Sequence, residues 1–229
     1  MDRPAAPGPT MIELHYYPSN ASMAPHIVLH EAGLPFRLVL VDREQGAHKR
    51  PDYLALNPNG LIPVLRDGEL VLFEAAAICL HLADRVPAAA LMPPLATPER
   101  AQAYKWLMWL SNTLQAMLIH YFYPERLVDA GDAAAADQVR RHAQARIAGL
   151  LDLLEAEFQR HGGPWLLGQD HSICDAYAFM LCRWTRGVAG PQGAPARERP
   201  QLAAWLARML ARPAVQRVIA AEGLQPPLV

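Results

Sequence analysis

The stretch Asn57-Pro58-Asn59-Gly60-Leu61-Ile62-Pro63-Val64-Leu65, with Glu74-Ala75 nine residues beyond it, joins turn residues to a short apolar strand and then to an acid at a helix start. Proline cannot donate to a sheet ladder, so Pro63 belongs at the first residue or the edge of a strand. A cis bond is expected there. Its neighbour Ile62 is then turned to offer its backbone N–H and C=O outward. Such an exposed pair can take a small peptide as an added strand. Glu74, at the next helix start, can hold that peptide's ammonium group.

The elements around this stretch can be read from periodicity and punctuation. Residues 12–17 read as a strand, and Pro18 to Ala21 as a turn. Ser22 can cap a helix running to about Ala32, stopped by Gly33. Residues 35–41 form a second strand, and residues 47–56 a short helical or irregular piece carrying His48, Lys49 and Asp52. Residues 62–66 and 70–73 make a hairpin around Asp67-Gly68, a strong two-residue turn signal. Residues 74–86 are helical. This order predicts an α/β thioredoxin-like domain, a small mixed sheet with helices on both faces, over residues 11–86.

Residues 87–97 read as a proline-bearing linker, and residues 98–229 as an all-α helical domain. Its first helix, 98–123, is apolar nearly all round, the mark of burial on most sides. Residues 137–161 put Ile147, Leu150, Leu151, Leu154 and Phe158 on one stripe. Residues 172–186 follow, opening on a capping box from Ser172 to Asp175. Leu202, Trp205, Leu206 and Met209 keep helical spacing, and Pro213 starts a last short helix. Ala133–Ala136 reads as a low-complexity run, and residues 1–10 as a disordered extension.

The chain of 229 residues is 52% hydrophobic, ample for a core, with no apolar run of membrane-spanning length. Its formal charge of −1 gives no electrostatic reason for a nucleic acid or an anionic membrane as partner. Cys79, Cys174 and Cys182 sit inside apolar helical patterns, as buried thiols of a reducing compartment do. No signal peptide opens the chain, so a cytoplasmic location is expected. The nine histidines show no metal-ligand spacing, and no metal is expected.

The string from Asn57 to Leu65, followed by Glu74, resembles the glutathione-binding half of a cytosolic glutathione transferase. Tyr16-Tyr17-Pro18-Ser19-Asn20-Ala21-Ser22-Met23-Ala24-Pro25-His26 resembles the first strand and helix of the bacterial beta-class enzymes. The similarity runs on to Arg212-Pro213-Ala214-Val215. The resemblance implies a homodimer with glutathione as co-substrate, adding the glutathione thiolate to a small apolar electrophile. It places the cysteinyl part on Ile62 ahead of Pro63, the γ-glutamyl ammonium on Glu74, and its carboxylate on the Ala75 N–H. Lys49, then His48, is the cation for the glycine carboxylate.

The thiolate is the nucleophile, and a donor or a helix N-terminus favours it. Candidate donors are Ser22, which also reads as an N-cap, Asn20, which also reads as a turn residue, and Tyr16, which also reads as strand packing. The chain departs from the family at three places. Ala21 stands where the beta class carries cysteine. Ala75 stands where most relatives carry Ser or Thr, a loss of about 0.5–1.5 kcal/mol of binding. Met108 and Gln115 stand where the beta class places asparagine and histidine, so Met108, Trp109, Asn112 and Gln115 are the expected walls of an apolar electrophile pocket. Two other functions fit the same residues: a glutathione-dependent reductase or peroxidase, and a glutathione-binding or interaction protein with little catalysis.

Overall fold

The structure, a computed structural model, describes residues 11–188 and 195–229; the expected extension at 1–10 lies outside them. Strands β1 (Ile12–Tyr16), β2 (Phe36–Leu40), β3 (Val64–Asp67) and β4 (Leu70–Phe73) form one sheet in the order β2-β1-β3-β4. β1 and β2 run parallel through the crossover helix α1 (Met23–Glu31). β3 is antiparallel to β1, and β4 returns antiparallel to β3 around Gly68, whose φ of 61° suits the tight turn. Leu14 pairs with Leu38 on one side and Leu65 on the other and is fully buried. The short helix α2 (Pro51–Leu54) and the helix α3 (Ala75–Arg85) complete the mixed α/β layer that the element order predicts.

Beyond it lie α4 (Pro98–Trp109), α5 (Ala116–Phe122), α6 (Ala133–His161), α7 (Ile173–Trp184), α8 (Pro200–Leu210) and α9 (Pro213–Ala221). Thr97 caps α4 by accepting the Arg100 N–H at 3.1 Å. The expected helix over 98–123 is widened by a π-turn over Leu110–Gln115. It is also not buried all round, because Tyr104 and Met108 are 39% and 43% exposed. α6 begins at Ala133, where Asp132 accepts the Ala135 N–H at 2.9 Å, so the alanine run is its first helical turn.

α7 is the central element: Ile173 through Arg183 are all buried. Its capping box is present. Asp175 also accepts the Leu166 N–H at 2.8 Å and the Trp205 indole N–H at 3.0 Å, tying the preceding loop and α8 to α7. α1 packs against α3, α7 and α9, so the two halves share one core. Arg212 grips Glu31 with two hydrogen bonds at 2.6 and 2.7 Å across the same seam. All three cysteines are free and buried, and burial pushes their thiols up. Among the described residues no helix is long and apolar enough to cross a membrane.

Candidate functional site

A cleft of about 690 Å³ opens where the β1–α1 turn, the loop before β3 and the ends of α5 and α7 meet. The loop is held from within. The Asn57 amide donates to the Leu61 carbonyl at 2.8 Å and its oxygen accepts the Asn59 N–H at 3.1 Å. The Tyr53 hydroxyl donates to the same Leu61 carbonyl at 2.8 Å. Gly60 has a φ of 59°, and a Cβ there would stand 2.8 Å from the His48 carbonyl oxygen, so only glycine fits. Lys49 Nζ donates to the Gly60 carbonyl at 3.3 Å.

These contacts present Ile62 to the cleft ahead of Pro63, and the Ile62–Pro63 bond is cis. No hydrogen bond among the described residues occupies the Ile62 N–H or C=O. The expected edge is therefore open. His48 and Lys49 line the same cleft. Burial, then Lys49 and Arg43, lowers the His48 imidazole, which leaves it neutral near pH 7 and makes Lys49 the cation of the pair.

The β1–α1 turn supplies Ser19, Asn20 and Ala21 to the cleft. Asn20 Oδ1 accepts the Ala21 N–H at 2.6 Å, which leaves its NH₂ to donate elsewhere. Ser22 is fully buried and does not reach the cleft. Its hydroxyl turns back to Tyr17, donating to the carbonyl at 3.1 Å and accepting the N–H at 3.3 Å, and makes no cap bond to α1. Tyr16 packs against the core, away from the cleft.

Sequence reasoning passed over Ser19. Its φ is 61°, in the left-handed region, and three groups fix it there. Glu222, just past α9, accepts the Ser19 N–H at 2.8 Å. Arg183 on α7 donates to Ser19 Oγ at 2.6 Å, and Arg186 approaches it at 3.5 Å. Glu222 is buried and also meets His26 Nδ1 at 2.9 Å. Burial, then Arg186, pushes Arg183 down to about 10. A serine at a turn was the sole signal in the sequence; the groups that single it out are more than 160 positions away.

Glu74 heads α3, exposed, with a φ of 72°, and Ala75 behind it is buried. Neither belongs to the cleft wall itself. Behind the cleft, burial raises the Tyr177 phenol, which donates to Gln115 in the cleft wall. Of the four wall residues expected on the fourth helix, Gln115 alone lines the cleft. Met108 and Asn112 face outward and Trp109 packs on the core. The apolar side of the cleft is built about two turns later, by Ile119, Phe122 and Tyr123, with Trp184 from α7. The π-turn over Leu110–Gln115 holds Asn112 and Gln115 of the expected set.

Comparison with known proteins places this arrangement. The family described as "Glutathione S-transferase, N-terminal domain" matches residues 18–85, and "Glutathione S-transferase, C-terminal domain" matches residues 110–213. The chain is 37% identical to glutathione S-transferase 3 of Zea mays, over 87% of this chain and 89% of that one. A glutathione transferase homolog from Sulfitobacter, solved with bound glutathione, superposes with a TM-score of 0.83 at 29% identity, over 94% of this chain and 99% of that one. A beta-class glutathione S-transferase from Sphingomonas chungbukensis gives a TM-score of 0.76 at 30% identity, over 93% of this chain and all (100%) of that one.

Proposed function

The chain belongs to the cytosolic glutathione S-transferase family, and on that premise we propose how its cleft holds glutathione and activates the thiol. It is a glutathione transferase. The cysteinyl part of glutathione lies along Ile62 as an added strand. The Glu74 carboxylate takes the γ-glutamyl ammonium, and the Ala75 N–H at the head of α3 takes its carboxylate. Lys49, beside His48, takes the glycine carboxylate. The sulfur then comes to the turn at Ser19–Ala21.

Ser19 and Asn20 are the donors to the sulfur in this reading. Arg183 occupies the Ser19 oxygen from behind, which leaves the Ser19 O–H free and polarised toward the cleft. Asn20 adds its free amide N–H. The thiol proton passes to water, and the thiolate sulfur bonds to the electrophilic carbon. The electron pair displaced there leaves with a leaving group or is taken up by the acceptor. The flat, apolar part of the electrophile rests on Ile119, Phe122 and Trp184. The observation that carries the reading is the unoccupied Ile62 edge facing the same cleft as the Ser19 turn.

A homodimer and a cytoplasmic location belong to the same proposal. Exposed Tyr104 and Met108, on a helix patterned for burial, support the first. Three free thiols suit the second. The decisive experiment is titration calorimetry of glutathione followed by the ultraviolet absorbance of the bound thiolate across pH. A bound thiol that ionises well below free glutathione is the expected result. An unshifted thiol would favour a binding protein with little catalysis, and absent binding would overturn the cleft assignment.

A further inference from the structure

Arg43, Arg126 and Arg186 line the cleft together with Lys49, and among the described residues no Asp or Glu lines it. The surplus is local, because the whole chain carries a formal charge of −1. It is also unpaired. Arg37, Arg85, Arg100, Arg160 and Arg212 each reach a carboxylate. None of the three cleft arginines makes such a pair with a described residue. Arg43 donates to the Tyr123 hydroxyl at 2.9 Å. Arg126 stacks 4.0 Å over the centre of the same Tyr123 ring. Arg186 donates to the Arg183 carbonyl at 2.9 Å.

These contacts hold the guanidiniums in place without neutralising them. A planar fork fixed on an aromatic face, with its charge uncompensated, is built to meet an oxyanion. Glutathione brings two carboxylates, but the binding mode above assigns these to the Ala75 N–H and to Lys49. The flat surface beside the arginines is aromatic: Phe122 and Trp184 meet edge to face with centroids 6.4 Å apart. Resting on the transferase reading above, we propose that the electrophile this cleft selects is an anionic aromatic or similarly flat conjugated compound, its carboxylate or related oxyanion held by Arg43, Arg126 and Arg186.

The test uses a chlorodinitrobenzoate and its methyl ester, which share ring and leaving group and differ in charge. With either one, the glutathione sulfur bonds to the ring carbon that bears chlorine. Chloride leaves with the bonding pair, and the thiol proton goes to buffer. After subtraction of the uncatalysed rates, the acid is expected to exceed the ester in kcat/KM by about tenfold or more. Arg126→Ala and Arg43→Ala should each lower that acid-to-ester ratio, and added salt should lower it further. The glutathione Kd of both variants should hold.

An ester turned over as well as the acid by the unaltered protein overturns the proposal. So does a glutathione Kd weakened in step with the loss, which would give the arginines to glutathione instead. Failure to turn over either compound, with no bound thiolate in the ultraviolet, brings down the transferase reading itself and this inference with it.

Discussion

At the residue scale, the chemistry turns on which hydroxyl meets the sulfur. Ser19 and Ser22 are three positions apart, yet one is braced by Arg183 at the cleft and the other is consumed by Tyr17. A hydrogen bond to a charged group contributes about 1.5–3 kcal/mol, so Ser19→Ala should cost about 10- to 100-fold in kcat/KM and raise the bound thiol pKa. Ser22→Ala should leave that pKa where it is and cost stability alone. The paired pH–absorbance titrations check this, and a shift in the Ser22 variant only would reverse the assignment. Glu74 gives a second pair of opposed effects. Its φ of 72° is costly for a residue with a side chain, by about 1–3 kcal/mol. Glu74→Gly should therefore hold or raise the melting temperature while weakening glutathione binding; a variant that binds as before would remove Glu74 from the site. The places of Ile62 and Pro63 ahead of β3, and of Glu74 at the head of α3, were legible in the sequence because turn residues, proline and a helix start are local signals. The setting of Ser19 was not, because it comes from Glu222, Arg183 and Arg186, which only the tertiary fold brings to it.

At the element scale, the same division holds. The hairpin at Asp67-Gly68, the stripe of α6 and the capping box of α7 each rest on spacing within one element, and each is present in the structure. The apolar side of the cleft lies about two turns farther along the helix than the expected one, and the π-turn before it leaves no mark in hydrophobic periodicity. α7 and the loop before it also carry a pair of opposed titrations that spacing could not reveal. Burial raises Asp175 from 3.8 to about 6, so the folded state holds that proton more tightly and this contribution to stability declines as pH rises from about 4 to about 6. Burial, then Arg212, lowers His171 from 6.5 to about 4, so its contribution is lost as pH falls through nearly the same window. The two oppose each other. His171→Leu should make the protein gain stability between pH 7 and pH 5 relative to the unaltered chain, and Asp175→Asn should make it lose stability faster. Urea midpoints at both pH values test this; unchanged slopes in both variants would refute it.

At the scale of the whole molecule, the two halves are joined along α1, and the exposed side of α4 is the surface left over. If two copies meet there, Met108→Glu should shift light scattering from twice the chain mass to the chain mass, with the fold retained by circular dichroism. A variant that stays dimeric would move the interface elsewhere. The seam itself has a consequence in time. The carboxylate that fixes the Ser19 turn stands 203 positions downstream of it. At about 5–20 residues per second, the Ile62 edge is synthesised on the order of ten seconds or more before Glu222. The Ser19 turn is therefore braced only once Glu222 has been made and α9 has docked against α1.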